Sequence, residues 1–178
     1  ALLTTHGGGI TLNPSDGTVA DNDEAYVSWT NKNIVPTNQK PIVFQAVIQF
    51  TEGSTDDANI LVGLSSTGAA NALQDDGAGP PASYSGLVFY KVDGGTNWNV
   101  EASVGGTQTT VELTALNSLD GVAKTAGGSA KQTLRIECIP QSTTQARVLY
   151  YIDGICVYSL LWTYTSVVAM APTFGIKN

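Results

Sequence analysis

From Ile42 to Phe50 the chain reads IVFQAVIQF, and alternate positions fall into two sets. Ile42, Phe44, Ala46, Ile48 and Phe50 form a wholly apolar set, while Val43, Gln45, Val47 and Gln49 form a mixed one. A period of two is what a strand with one buried face requires. It recurs in ANILVGLSS, where Ile60, Val62 and Leu64 are in phase. In NWNVEASV, Trp98, Val100, Ala102 and Val104 oppose Asn97, Asn99, Glu101 and Ser103. The spacing of three and four that marks an amphipathic helix is almost absent. Short alternating runs with turn signals between them predict an all-β, antiparallel β-sandwich of about ten to twelve strands.

The turns sharpen this pattern. VLYYIDGICV, residues 148–157, places Asp153-Gly154 between two apolar runs, which predicts a hairpin closed by a type I′ turn. Asp93-Gly94-Gly95-Thr96 predicts a second hairpin, and Gly105-Gly106-Thr107 a third turn. With a loop over 140–146, Cys138 faces Val148, Ile136 faces Tyr150 and Leu134 faces Ile152. The expected core stripe is then Leu134, Ile136, Cys138, Val148, Tyr150, Ile152, Ile155 and Val157. The other face carries Leu149, Tyr151, Cys156 and Tyr158, too apolar to stand in water, so loops or a partner should cover it. Cys138 and Cys156 fall on opposite faces, which predicts free thiols. The connection LQDDGAGPPASYS, residues 73–85, is too long for a hairpin turn and should lie over a face or an edge. Residues 117–131 form another long connection.

Composition narrows the function. A chain of 178 residues suits a single domain, with residues 1–40 reading as an N-terminal arm with first strands, able to dock on a neighbouring subunit, and 41–178 as the sandwich. The net charge is −7, and Arg135 and Arg147 are the only arginines, which excludes a phosphate-binding surface for nucleic acid. No apolar run reaches the length of a membrane span, and ALLTTHGGG is too short and uncharged to read as a signal peptide.

Candidate chemistry is sparse. His6 is the only histidine, so neither a Ser-His-Asp or Cys-His arrangement nor a zinc site is expected. Glu101, Glu112 and Glu137 each stand alone on a strand and read as solubilising outer-face charges. A glycosidase would need two facing carboxylates. The acidic clusters Asp21-Asn22-Asp23-Glu24, Asp56-Asp57 and Asp75-Asp76 leave calcium as the one cofactor open, with Asp75 and Asp76 the first candidate ligands. Neither HGGG nor AGGSAK leads from a strand into a helix as a phosphate loop must. Trp29, Trp98, Trp162, Tyr84 and Tyr90 could form a sugar platform. Trp98 is in phase with core residues, which leaves Tyr84, expected to be exposed within the 73–85 connection, as the ligand-binding candidate.

The order of FQAVIQF, NILVGLSS, ALQDDGAGPPASYSGLVFYKVDGGTNWNVEAS, TLRIEC, VLYYIDGICV and APTFGIKN resembles the concanavalin A-like lectin/glucanase jelly roll. The resemblance is to the form found in tailed-phage virion proteins, and it spans residues 40–178. It implies two packed antiparallel sheets of about six strands each. It also implies a non-enzymatic structural role, foremost a capsid decoration or cementing protein. Such a protein is made in the host cytoplasm and placed on the virion surface as a homo-oligomer against the major capsid protein or other virion subunits. A glycan-binding, lectin-like adhesion module is the alternative, and a glycosidase comes third. The catalytic glutamates and metal-binding aspartates of the glucanase and legume-lectin branches have no counterpart here, so only the fold carries over.

Overall fold

A computed structural model of the chain describes residues 2–6, 9–14, 23–37, 40–52, 57–75, 77–127 and 129–178. Among these residues are twelve strands and no helix. They are β1 (Leu2–His6), β2 (Gly9–Asn13), β3 (Glu24–Ser28), β4 (Ile42–Ile48), β5 (Asn59–Ser65), β6 (Gly86–Lys91), β7 (Asn99–Val104), β8 (Thr107–Glu112), β9 (Gln132–Pro140), β10 (Gln145–Ile152), β11 (Ile155–Thr163) and β12 (Ala171–Lys177). The larger sheet runs β3-β12-β5-β6-β7-β8, the smaller β11-β10-β9-β4, and β1 and β2 form a separate ribbon. Every pairing is antiparallel.

The core lies between the two sheets, on the apolar phases read from the sequence. Phe44, Ile60, Val62, Leu64, Trp98, Val100, Ala102, Leu134, Ile136, Cys138, Val148 and Tyr150 all belong to it. Phe89 packs edge-on against Trp98 and Tyr150, with ring centroids 6.2 and 5.2 Å away. Tyr150 also ties the sheets together, its hydroxyl donating to the Glu101 carbonyl at 2.7 Å. The cross-strand partners Cys138–Val148, Ile136–Tyr150 and Leu134–Ile152 occur as expected. Asp153 and Gly154 have φ of 50° and 83°, the type I′ values. The Asp153 carboxylate also accepts the Thr133 N–H at 2.7 Å. Both cysteines are free, Cys138 in the core and Cys156 half-buried.

Three expectations for this region are corrected. Ile155 is 52% exposed rather than in the core, because it follows the turn at the very end of its sheet. Tyr158 turns toward the core instead of outward. The cause is a bulge in β11: Tyr150 faces Tyr158 while Tyr151 faces Cys156, so Val157 is the extra residue and the phase changes there. Val157 is fully buried, and its carbonyl accepts the Leu119 N–H at 2.9 Å. The third correction is the strand count of the sheets, six and four rather than about six each.

That inequality shapes the molecule. β4 packs across from β5, β9 across from β6 and β11 across from β7. Beyond β5 the larger sheet continues through β12 and β3, past the edge of the smaller sheet. The β1–β2 ribbon approaches this overhang through β2, which contacts both β3 and β12. Within residues 1–40, β3 pairs with β12 of the same chain, and Ile34 forms a bridge with Met170.

Candidate functional site

The aromatic residues considered as a sugar platform separate cleanly once placed. Trp98, Trp162, Tyr84 and Tyr90 are buried, whereas Trp29 is 56% exposed just after β3. The exposed position expected for Tyr84 is therefore corrected. The connection it belongs to folds over the outer face of the larger sheet, where Leu73, Tyr84, Leu61, Val88 and Tyr90 form a second apolar cluster. The Tyr84 ring lies over Gly86, so close that a Cβ there would meet it at 2.3 Å. This packing is why β5 and β6 are buried on both faces.

Glu101 anchors that cover, and its expected role as a solubilising charge is corrected as well. It is 3% exposed. Its carboxylate accepts the Tyr84 hydroxyl at 2.7 Å, the Gln108 amide at 3.0 Å and the Thr110 hydroxyl. Gln108 also donates to the Pro81 carbonyl at 3.0 Å, tying the same connection down. Burial, with the adjoining Glu101 charge, holds the Tyr84 hydroxyl well above its ordinary pKa and pushes Tyr90 up to about 12. Every group in this cluster is engaged within the protein. Glu112 and Glu137 do lie on outer faces, Glu112 accepting from Asn97 at 2.8 Å and Glu137 paired with Arg135.

The acidic residues considered for calcium meet an ammonium. Asp75 and Glu24 converge on buried Lys177, with Glu24 at 3.6 Å, and the Leu73 carbonyl lies 3.5 Å from the same nitrogen. Lys177 thus supplies the positive charge at this point. Asp76, Asp21, Asn22 and Asp56 lie outside the described residues. Among the described residues no group of three or more His, Cys, Asp or Glu side chains is arranged to hold a metal. His6 ends β1 opposite Gly9.

Trp29 leads to the open site. It lines a cleft of about 740 Å³ formed where the larger sheet overhangs the smaller. All five residues of β2 line one part of it, and Gln45 to Thr51, from β4 and the residues after it, line another. Val27, Phe174 and Ile176, from β3 and β12, supply apolar lining. The volume falls in the range of small-molecule sites, roughly 300–1,000 Å³. Thr11, Asn13, Gln45, Gln49 and Thr51 add uncharged polar groups, and none of the described lining residues is ionisable. Among the described residues β4 is an edge strand, paired only with β9, so alternate residues turn main-chain N–H and C=O groups away from the sheet. The described lining suits an uncharged ligand with one flat apolar face. Sequence reasoning named Trp29 without singling it out. The available signal was its position at a strand end, directly before the hydrophilic run Thr30-Asn31-Lys32-Asn33.

No protein-family model matches the chain, and no curated protein sequence matches it. Solved structures do. The carbohydrate recognition domain of Emp46p, in a metal-free form, superposes with a TM-score of 0.60 at 12% identity, covering 99% of this chain and 78% of that one. The corresponding domain of Emp47p gives 0.56 at 12% identity, covering 99% and 77%. A legume lectin-like domain from Entamoeba histolytica gives 0.55 at 9% identity, covering 98% and 77%. At such identities the likeness is one of fold. The chain shares the fold of these lectin-like domains, a concanavalin A-like jelly-roll sandwich.

Proposed function

We propose that this chain is a carbohydrate-binding module that binds glycan without transforming it. The observation that carries this reading is the exposed Trp29 ring on an uncharged cleft of about 740 Å³. A sugar presents one face of C–H groups to an aromatic ring and directs its hydroxyls outward. Trp29 offers the ring, and the Gln45 amide and the Thr11 hydroxyl on the lining of the same cleft offer polar groups. The lectin-like fold supports the same reading. No carboxylate among the described residues lines the cleft, whereas glycoside hydrolysis needs two. Titration of isotopically labelled protein with a panel of neutral oligosaccharides tests the proposal. The Trp29 indole N–H and the amides of residues 42–48 should shift together, and no shift with any sugar at millimolar concentration would sink it.

A second reading comes from the outer face of the smaller sheet. Val43, Val47, Ile139 and Leu161 are exposed there around Arg135, Glu137 and Arg147. Together with the segment order of phage virion proteins, that face supports attachment to a capsid shell as a homo-oligomeric decoration protein at the virion surface. Co-sedimentation with purified shells tests it. A Val43→Asp, Val47→Asp double variant should stay in the supernatant, and equal binding by that variant would overturn the reading.

A further inference from the structure

We infer that the cleft takes an uncharged sugar chain bearing acetamido groups, an inference that rests on the glycan-binding reading above. Three features of the cleft converge on this chemistry. The first is the edge of β4, which no strand among the described residues pairs and whose outward N–H and C=O groups alternate along the strand. An acetamido group carries one N–H donor and one C=O acceptor in the planar geometry of a peptide unit, so it can meet a strand edge as another strand would. The second is the lining of Val27, Phe174 and Ile176, which has no side-chain polar atom. A hydroxyl set there gives up water without a replacement partner, whereas an acetyl methyl loses nothing. The third is charge. With no ionisable side chain among the described lining residues and a net charge of −7, a uronate or sialylated chain would be desolvated without a counter-charge and repelled at a distance. Trp29 then holds a ring face beside the group that the edge and the lining receive.

An extended peptide would also match a free edge over an apolar lining. The exposed Trp29 ring favours the sugar, because an added strand could pair with β4 without it.

The test is calorimetric titration of the full chain with tri-N-acetylchitotriose, its de-N-acetylated triamine, cellotriose, trigalacturonate and a ten-residue peptide of alternating Val and Thr. The acetylated trimer should bind at least tenfold tighter than cellotriose, with no heat from trigalacturonate. Trp29→Ala should weaken the acetylated trimer tenfold or more, and Trp29→Phe by less. Amide exchange in residues 42–48 should slow when it binds. Equal affinity for cellotriose, or for the triamine, overturns the acetamido assignment and leaves glycan binding standing. Silence from every sugar overturns glycan binding itself. Tighter binding of the peptide assigns the cleft to an added strand and overturns both.

Discussion

Two places in this sandwich put an aromatic ring beside hydrogen-bonding groups, and they are opposites. Over the outer face of the larger sheet, Tyr84 is buried and its hydroxyl is held by Glu101, which also receives Gln108 and Thr110. At the overhang, Trp29 is exposed, and no strand among the described residues pairs with the β4 edge that lines the same cleft. The first place is closed: a charged acceptor, three donors and a connection fastened by them. The second is open, with apolar lining and main-chain groups that no described strand meets. Aromatic and polar residues side by side do not distinguish scaffold from site. Whether their hydrogen-bonding capacity is already used does.

The comparison breaks first at Glu101. Glu101→Ala leaves the buried Tyr84 hydroxyl without its acceptor and releases the exposed Gln108 and Thr110 from theirs, and should lower stability by about 2–3 kcal/mol in urea unfolding, with Glu101→Gln recovering roughly half. A loss below about 1 kcal/mol would show that water reaches the cluster and that it is not closed.

Alkali probes the same contrast less severely. Burial pushes Cys138 up to about 12, and burial with the Glu101 charge does the same for Tyr90, against ordinary values of 9.0 and 10.0 in the unfolded chain. Folded pKa values raised in this way leave stability intact below about pH 9 and remove it as pH climbs from there toward 12. Thermal melts from pH 7 to 11 should be flat to about 9 and then fall. Sugar affinity should stay level up to the onset of unfolding, since none of the described cleft residues titrates.

Smaller effects sharpen the contrast further. Tyr84→Phe deletes one of the three donors to Glu101 and should cost about 1–2 kcal/mol, read from the same unfolding curves. Trp29→Ala, on an exposed side chain, should change stability by less than about 0.5 kcal/mol while abolishing most glycan binding. If Trp29→Ala proved the more destabilising of the two, the assignment of scaffold and site would be reversed.

Much of the fold was legible because strand alternation carries information wherever one face meets water. β4, β9 and β10 alternate in this way, and the partners of Ile136 and Cys138 and the home of Trp98 follow from it. Alternation says less where a connection lands on the other face. Asn99, Glu101 and Ser103 read as an exposed row, yet residues 73–85 fold over it, and no local pattern encodes that landing. Tyr158 was misplaced for a different reason: the extra residue in β11 carries no sequence signal of its own. The open site was the least legible part. It arises from a difference between two sheets, six strands against four, and no single segment contains that difference.

The bulge at Val157 also separates chain length from alignment. Deleting Val157 would leave Tyr150 opposite Tyr158 and Tyr151 opposite Cys156, now as consecutive rungs of an unbroken ladder. No side chain farther along β11 would change sides. What the shortened chain would lose is a buried isopropyl group and the carbonyl that holds Leu119. Position 157 is therefore a place where the chain can gain or lose a residue without reframing the strand that follows, and the segment around Leu119 would register the change first.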